Sequence, residues 1–96
     1  MPWVLDIHRG EKLQESIVVV NNIMTLGREE CDINLSDFKM SRQHCTLYMH
    51  EEVLTIVDNS SKNGTFVNGR RIVQRRELRN NDEVIIGVTN IIVRKV

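Results

Sequence analysis

The sequence has few of the features that mark a membrane protein or a disulfide-rich secreted domain. Its longest apolar run, "IVVV" at 17–20, is far shorter than the roughly 20 residues that a membrane-spanning helix needs. No signal-peptide pattern opens the chain. The two cysteines, Cys31 and Cys45, lack CxxC spacing, and a small secreted domain usually carries more. We therefore expect no membrane partner, an intracellular setting and two buried free thiols.

The chain also has no net charge and only one proline. Thirteen acidic side chains cancel thirteen basic ones, so a charge-dependent function must come from a local cluster. The only proline is Pro2, which precedes the first apolar segment, where a missing backbone donor does least harm. With 96 residues, of which 41% are hydrophobic, the chain suffices for one core. We expect residues 1–96 to form a single domain, cut from a larger protein.

Short apolar runs with a period of two predict an all-β fold. Turn signals separate these runs at intervals of about ten residues, as sandwiches and barrels require. The segment "RRIVQRREL" has good helix formers but neither a cap nor an apolar stripe, so we assign no helix there. The runs are "WVLDIH", "SIVVV", "HCTLYM", "VLTIV", "RRIV", "EVIIG" and "NIIVRK".

The segment "LGR" places Gly27 and Arg28 directly after an apolar strand. A turn glycine followed by a solvated arginine would explain the pair. Alternatively, Gly27 lets the backbone bend so that the planar guanidinium of Arg28 reaches a bound anion. The residues alone leave both interpretations open.

The segment "SRQH" leads into a strand and supplies a hydroxyl from Ser41 and a guanidinium from Arg42, a combination that suits a phosphate. Ser41, His44 and Asp58 also allow a hydrolase hypothesis, since these residue types can form a catalytic triad. The chain has no G-x-S-x-G elbow, so we disfavour catalysis. We expect His44 to hold the Ser41 loop through hydrogen bonds.

The segment "DNSSKNGTFVNG" at 58–69 contains two Asn-Gly pairs, Asn63-Gly64 and Asn68-Gly69, each of which is a hairpin signal. Turns alone do not explain the polar lead-in that ends in Ser61 and Lys62. That lead-in offers outward-facing amides, hydroxyls and a cation.

The segment "RRIVQRRELR" is the one strongly basic patch. Solvated surface is the preferred interpretation, because the patch has no interleaved aromatic residues on which bases could stack. We therefore expect no nucleic-acid partner. The arginines are Arg70, Arg71, Arg75, Arg76 and Arg79.

Taken in order and spacing, "LGR", "SRQH" and "DNSSKNGTFVNG" resemble the forkhead-associated (FHA) domain family, and "ELRNNDEVIIG" extends the resemblance to nearly the whole chain. The resemblance implies a β-sandwich of about eleven strands that binds phosphothreonine peptides through loops at one end. It implies a binding module with no catalytic residue, cofactor or metal. It also implies signalling, with the DNA-damage response and cell-cycle control as candidates, and the nucleus rather than the cytoplasm as the compartment.

The resemblance implies roles for individual residues. Ser41 would bond a phosphate oxygen, and Arg28 would contact the phosphate or the peptide backbone beside it. Arg42 stands at a variable position where a basic or amide side chain often touches the phosphate, and Asn63 would hydrogen-bond the peptide main chain. Lys62 stands where the family often has threonine or serine, so a phosphate contact and a solvent-facing position both remain open. The loop framework would be formed by Gly27, His44, Ser61, Gly64 and Asn68.

Two other departures from the family pattern stand out. The loop from Arg28 to Cys31 is about one residue shorter than usual, which could shift Arg28. Asn81 replaces the common glycine before Asp82, and asparagine tolerates a left-handed conformation.

The alternative function is an assembly domain on the same scaffold that acts through homodimerisation, with or without phosphopeptide binding.

Overall fold

The computed structural model describes residues 2–96, which contain eleven β-strands. Their bounds are β1 Trp3–Arg9, β2 Lys12–Val18, β3 Ile23–Gly27, β4 Ile33–Asn34, β5 Cys45–His50, β6 Val53–Asp58, β7 Thr65–Val67, β8 Arg70–Arg71, β9 Arg75–Leu78, β10 Glu83–Ile86 and β11 Thr89–Lys95. No helix within residues 2–96 has the length and apolar character that crossing a bilayer requires.

The strands form two sheets. One has six strands in the order β2-β1-β11-β10-β7-β8, and the other has five in the order β4-β3-β5-β6-β9. Neighbouring strands are antiparallel except for β3 and β4, which run parallel. The expected all-β sandwich of about eleven strands is confirmed.

Alternation along the strands sends side chains from both sheets into one core. Leu5 of β1 and Val84 of β10 come from the six-stranded sheet, whereas Leu26 of β3 and Ile56 of β6 come from the five-stranded sheet. All four are at most 1% exposed and line one small internal space of about 10 Å³. The two sheets therefore share their apolar faces, and truncating Leu5, Leu26 or Ile56 to alanine should cost about 2–5 kcal/mol.

The basic segment forms strands rather than a helix, and its two strands lie at the edges of different sheets. β8 ends the six-stranded sheet and β9 ends the five-stranded sheet, so the chain crosses between the sheets at residues 72–74. Ile72 is buried at this crossing, whereas Val73 is 94% exposed.

The two Asn-Gly pairs have different structures. Asn68 and Gly69 both have positive φ, 51° and 84°, and join the paired residues Val67 and Arg70. This is the two-residue hairpin turn that the sequence predicts. Asn63-Gly64 lies instead in the loop between β6 and β7, which belong to different sheets, so this pair bends the chain between two strands without forming a hairpin. Asn81 has φ 71°, the left-handed conformation that asparagine tolerates.

The two thiols differ in exposure. Cys45 is fully buried, as expected, but Cys31 is only half-buried, so that part of the prediction is wrong. Neither is in a disulfide within residues 2–96. Burial raises the pKa of both thiols, strongly so for Cys45, and keeps them protonated at neutral pH.

The two ends of the described chain meet at one end of the sandwich. Trp3 of β1 is the register partner of Lys95 of β11, and the backbone N–H of Val96 donates to the carbonyl oxygen of Pro2 at 2.8 Å. The opposite ends of the same strands pair Arg9 with Thr89.

Candidate functional site

Three loops meet at the end of the sandwich opposite the chain ends: β3–β4, β4–β5 and β6–β7. The backbone N–H of Arg28 donates to the carbonyl oxygen of Ser41 at 3.1 Å. The backbone N–H of Lys62 donates to Ser41 Oγ at 3.0 Å, and Asn63 Nδ2 donates to the carbonyl oxygen of Lys39 at 2.7 Å. Segments that are distant in the sequence thus form one hydrogen-bonded surface.

An open recess of about 470 Å³ lies where these loops meet. Four cations line it and no carboxylate does, so the recess suits an anion. Each of the five residues predicted to contact a phosphopeptide is part of its wall. The lining residues are Arg28, Phe38, Lys39, Met40, Ser41, Arg42, Lys62 and Asn63.

Gly27 is required by the close approach of two loops. A Cβ built on Gly27 would lie 2.1 Å from the carbonyl oxygen of Arg42, which is backbone and cannot swing aside. Any side chain there would force the β3–β4 and β4–β5 loops apart. Gly27 therefore acts through its small size, which holds Arg28 beside Ser41.

Arg28 is exposed and partly oriented by the protein. Its Nε donates to the carbonyl oxygen of Met40 at 3.3 Å, near the limit for a hydrogen bond. Its two terminal nitrogens have no hydrogen-bond partner within residues 2–96. The planar end of the guanidinium is thus available to an anion in the recess.

The Ser41 hydroxyl is placed to donate into the recess. Its oxygen accepts the bond from the Lys62 N–H, which occupies a lone pair but not the hydroxyl hydrogen. The hydrogen can therefore point toward a bound oxyanion. The ammonium group of Lys62 makes no ion pair within the described residues, which leaves both interpretations of that residue open.

Arg42 is engaged by an acidic pair beside the recess. Its Nε lies 2.5 Å from Glu29 Oε1, and its Nη2 lies 3.6 Å from Glu30 Oε1. All three side chains are largely exposed, so the ion pairs are weak. An anion that uses Arg42 must compete with these carboxylates.

His44 is completely buried and ties two loops together. Its Nδ1 accepts a hydrogen bond from the Ser41 backbone N–H at 3.0 Å, and its Nε2 lies 2.8 Å from the carbonyl oxygen of Gly64. These partners require the neutral tautomer that carries its proton on Nε2. Both ring nitrogens are occupied, so neither can take a proton from the Ser41 hydroxyl, and the triad hypothesis lacks its central contact.

Asp58 organises the β6–β7 loop. One carboxylate oxygen accepts the hydroxyls of Ser61 and Thr65, each at 2.6 Å, and the other accepts the Ser61 backbone N–H at 3.0 Å. Ser61 Oγ in turn accepts the Gly64 N–H at 3.0 Å. Burial works to raise the pKa of Asp58, but these hydrogen bonds outweigh it and hold the pKa below its ordinary value.

Asn63 and Gly64 form the rim of the recess on the β6–β7 side. The bond from Asn63 to Lys39 fixes the amide, whose oxygen has no donor within residues 2–96 and can accept from a ligand main chain. Gly64 has φ 90°, and a Cβ built on it would lie 2.7 Å from Arg71 Nε. None of the five arginines of the basic segment lines the recess itself.

Asn68 lies at the opposite end of β7, away from the recess. Its Nδ2 donates to Asp82 Oδ1 at 2.9 Å, and its Oδ1 accepts the Glu83 backbone N–H at 2.9 Å. It therefore fixes the hairpin turn against β10. Sequence reasoning did not assign Asp58 to the binding-loop framework, although aspartate favours turns because its side chain bonds nearby backbone groups.

Fold and site together define a class of protein: an all-β binding module with a cation-lined recess on its loops. The chain belongs to the FHA domain family, whose model matches residues 24–87 and so includes all three loops. The expected family is thereby confirmed.

Among curated proteins, the chain is 35% identical over 85 residues to the glycogen accumulation regulator GarA of Mycobacterium tuberculosis, covering 88% of this chain and 52% of GarA. It is 30% identical over 86 residues to the DNA damage response protein kinase DUN1 of Saccharomyces cerevisiae, covering 79% of this chain and 17% of DUN1. The chain thus spans about half or less of the length of these relatives.

Solved structures agree with the fold. The FHA domain of CT664 from Chlamydia trachomatis superimposes with a TM-score of 0.93 at 27% identity, covering 100% of this chain and 99% of that one. A structure from a study of phosphothreonine-dependent FHA domain interactions gives 0.90 at 27% identity, covering 100% and 98%.

Proposed function

We propose that this domain binds phosphothreonine-containing peptides or proteins through the recess and so recruits phosphorylated partners in signalling. The observation that carries the proposal is the convergence of four cations, the Ser41 hydroxyl and the Asn63 amide on one recess without a carboxylate. A phosphothreonine carries nearly two negative charges and three acceptor oxygens at neutral pH. Recognition of such groups by basic side chains is a common binding mode.

The proposed roles differ among the residues. Arg28 and Ser41 donate to phosphate oxygens, Arg42 and Lys62 add positive charge, and Asn63 accepts from the peptide main chain. Because Asn63 does not meet the phosphate, it sets the position of the peptide and adds little to the discrimination of charge. We assign the domain a binding role and no catalytic one, since His44 is committed to backbone partners.

A phosphothreonine peptide library identifies a ligand, and titration of the selected sequence in phosphorylated and unphosphorylated forms tests the proposal. We expect binding of the phosphorylated form only. Equal affinity for the two forms would remove the phosphate from the mechanism and overturn the proposal.

The substitution Arg28→Ala should lower affinity for the phosphorylated peptide at least about tenfold, because a charge-assisted hydrogen bond contributes about 1.5–3 kcal/mol. Arg79→Ala is the matched control, since Arg79 is an exposed arginine near the opposite end of the sandwich. Calorimetric titration measures both. Equal losses in the two variants would show that Arg28 acts only through net charge.

The cellular setting is a further part of the proposal. DUN1 is named for the DNA damage response and GarA for glycogen accumulation, so relatives of the domain serve different processes. A role in the DNA-damage response or the cell cycle, and a nuclear location, therefore stay predictions. Localisation of the tagged chain before and after DNA damage tests them, and unchanged distribution outside the nucleus would contradict both.

Homodimerisation is the second candidate function. Ile23 and Tyr48 are register partners on the five-stranded sheet and are 56% and 40% exposed, which gives that sheet a small apolar spot. Light scattering across a range of concentrations tests dimerisation without ligand. A constant monomer mass would remove this candidate.

Titration of the same samples with DNA and RNA tests the separate expectation that the domain does not bind nucleic acid.

A further inference from the structure

Phe38 is an exposed aromatic residue in the wall of the recess. Its side chain is 85% exposed, although phenylalanine is usually among the most buried residues. A single exposed apolar side chain needs no explanation by itself. Phe38 differs because it shares the recess with Arg28 and Ser41, the two residues proposed to hold the phosphate.

The backbone at Phe38 is anchored on both sides. Asp37, only 2% exposed, accepts hydrogen bonds from the Val88 N–H at 2.8 Å and from Thr89 Oγ1 at 2.7 Å. Its carbonyl oxygen accepts the Met40 N–H at 3.0 Å, and Met40 is 2% exposed. Phe38 therefore projects from a short turn, and the residues on either side of it, Asp37 and Met40, are buried.

An exposed ring on an ordered backbone is a favourable contact for a ligand. The backbone is already ordered, and a phenyl group has only two side-chain torsions, so little conformational freedom is lost on binding. The ring offers no hydrogen bond, and its complement is an apolar side chain. A basic ligand side chain could stack on the ring, but the four cations of the recess would repel it.

We propose that Phe38 is a specificity-determining residue that selects phosphothreonine peptides with an aliphatic or aromatic side chain near the phosphothreonine. This inference rests on the proposed phosphopeptide function. The phosphate contacts supply the charge-dependent part of binding, and Phe38 distinguishes among phosphorylated sequences. At the rim of an open recess, the preference for leucine over serine at the selected position should be about five- to tenfold.

The test compares the wild-type chain with Phe38→Ser, Phe38→Leu and the control Val20→Ser. Val20 is 75% exposed and follows β2 at the end of the sandwich opposite the recess. Each protein is screened against phosphothreonine libraries in which one flanking position at a time is varied. Matched peptides with leucine or serine at the selected position are then titrated, and circular dichroism checks that each variant is folded.

We expect the wild type and Val20→Ser to select apolar residues at one position, Phe38→Leu to keep part of that preference, and Phe38→Ser to lose it while still binding phosphothreonine. An unchanged profile in Phe38→Ser, or an equal loss of affinity for every peptide, would overturn the role of Phe38 and leave the phosphopeptide function standing. Absence of binding to any phosphothreonine peptide by the wild type would overturn the proposed function itself.

Discussion

Side chains around the recess divide into those that face a ligand and those that hold the loops. Arg28 and Lys62 are exposed, whereas His44 is fully buried and Asp58 is largely so. Ser41 belongs to both groups, because its oxygen accepts from the Lys62 N–H while its hydrogen remains available. Charge for the ligand is thus supplied by exposed side chains, and the position of the loops is fixed by buried ones.

The substitution Glu29→Gln should raise affinity for a phosphothreonine peptide, because it removes the closest carboxylate competitor for Arg42. An exposed ion pair contributes about 0.2–1 kcal/mol, so we expect a gain of about 1.5- to fivefold that shrinks in high salt. Glu51→Gln changes the net charge equally from the β5–β6 turn at the other end of the sandwich. Equal gains in both variants, measured by titration, would contradict a local competition.

Asp58 should make the stability of the domain sensitive to acid. Because its folded-state pKa lies below the ordinary 3.8, its contribution is fully present above pH 3.8 and is lost as the pH falls through the lowered value. Asp58→Asn should therefore be less stable at pH 7 and should lose less stability than the wild type between neutral pH and acid. Urea unfolding at a series of pH values measures this, and parallel curves for the two proteins would contradict it.

The β6–β7 loop depends on its left-handed glycine. Gly64 has φ 90°, and an added Cβ would meet the tip of Arg71, which can move, so the main penalty of Gly64→Ala is backbone strain of about 1–3 kcal/mol. Relief of that strain would displace Asn63, and affinity should fall together with stability.

Gly69→Ala is a matched control for Gly64→Ala. Gly69 has φ 84° with open space around its Cα, and it lies at the far end of β7. This variant should lose comparable stability and keep its affinity for the phosphorylated peptide. Thermal unfolding and titration of both variants measure the two effects, and a loss of affinity in Gly69→Ala would show that general destabilisation explains the result.

The elements that the sequence predicts well are those with local signals. Alternating apolar residues identify the long strands, and Asn68-Gly69 identifies a hairpin because its flanking residues pair directly. The same dipeptide at Asn63-Gly64 misleads, since nothing in it shows that β6 and β7 lie in different sheets. β4 has two residues and pairs in parallel with β3, so it has too little local pattern to be recognised.

The residues of the candidate site likewise divide into those with a local sequence signal and those without one. Gly27, Arg28, Ser41 and Asn63 are recognised as parts of motifs, and the structure brings them around one recess. Asp37 is not recognised, because its partner Thr89 is 52 positions away in the sequence. Asp37 is buried only because the two sheets pack together, so its role in fixing the loop cannot be seen in the local sequence.

The whole domain is nearly spherical, with extents of 33 × 28 × 26 Å. Its formal net charge is zero. Four of its thirteen basic side chains nevertheless line the recess, which gives the recess a local positive charge. Opposite charges elsewhere keep distant polyanions from being attracted to the whole surface. A phosphorylated ligand is therefore recognised at short range.

The pairing of β1 with β11 has a mechanical consequence. Trp3 and Lys95 are partners at one end of the antiparallel β1–β11 ladder. A force that pulls the two chain ends apart therefore breaks the hydrogen-bonded pairs of this ladder one after another. If the pulling force were applied at Gly10 and Val96 instead, it would act along the strands and load all the β1–β11 pairs together in shear. Force spectroscopy should record lower rupture forces in the first geometry. Since the recess lies at the other end of these strands, tension on the chain ends first separates residues far from the ligand.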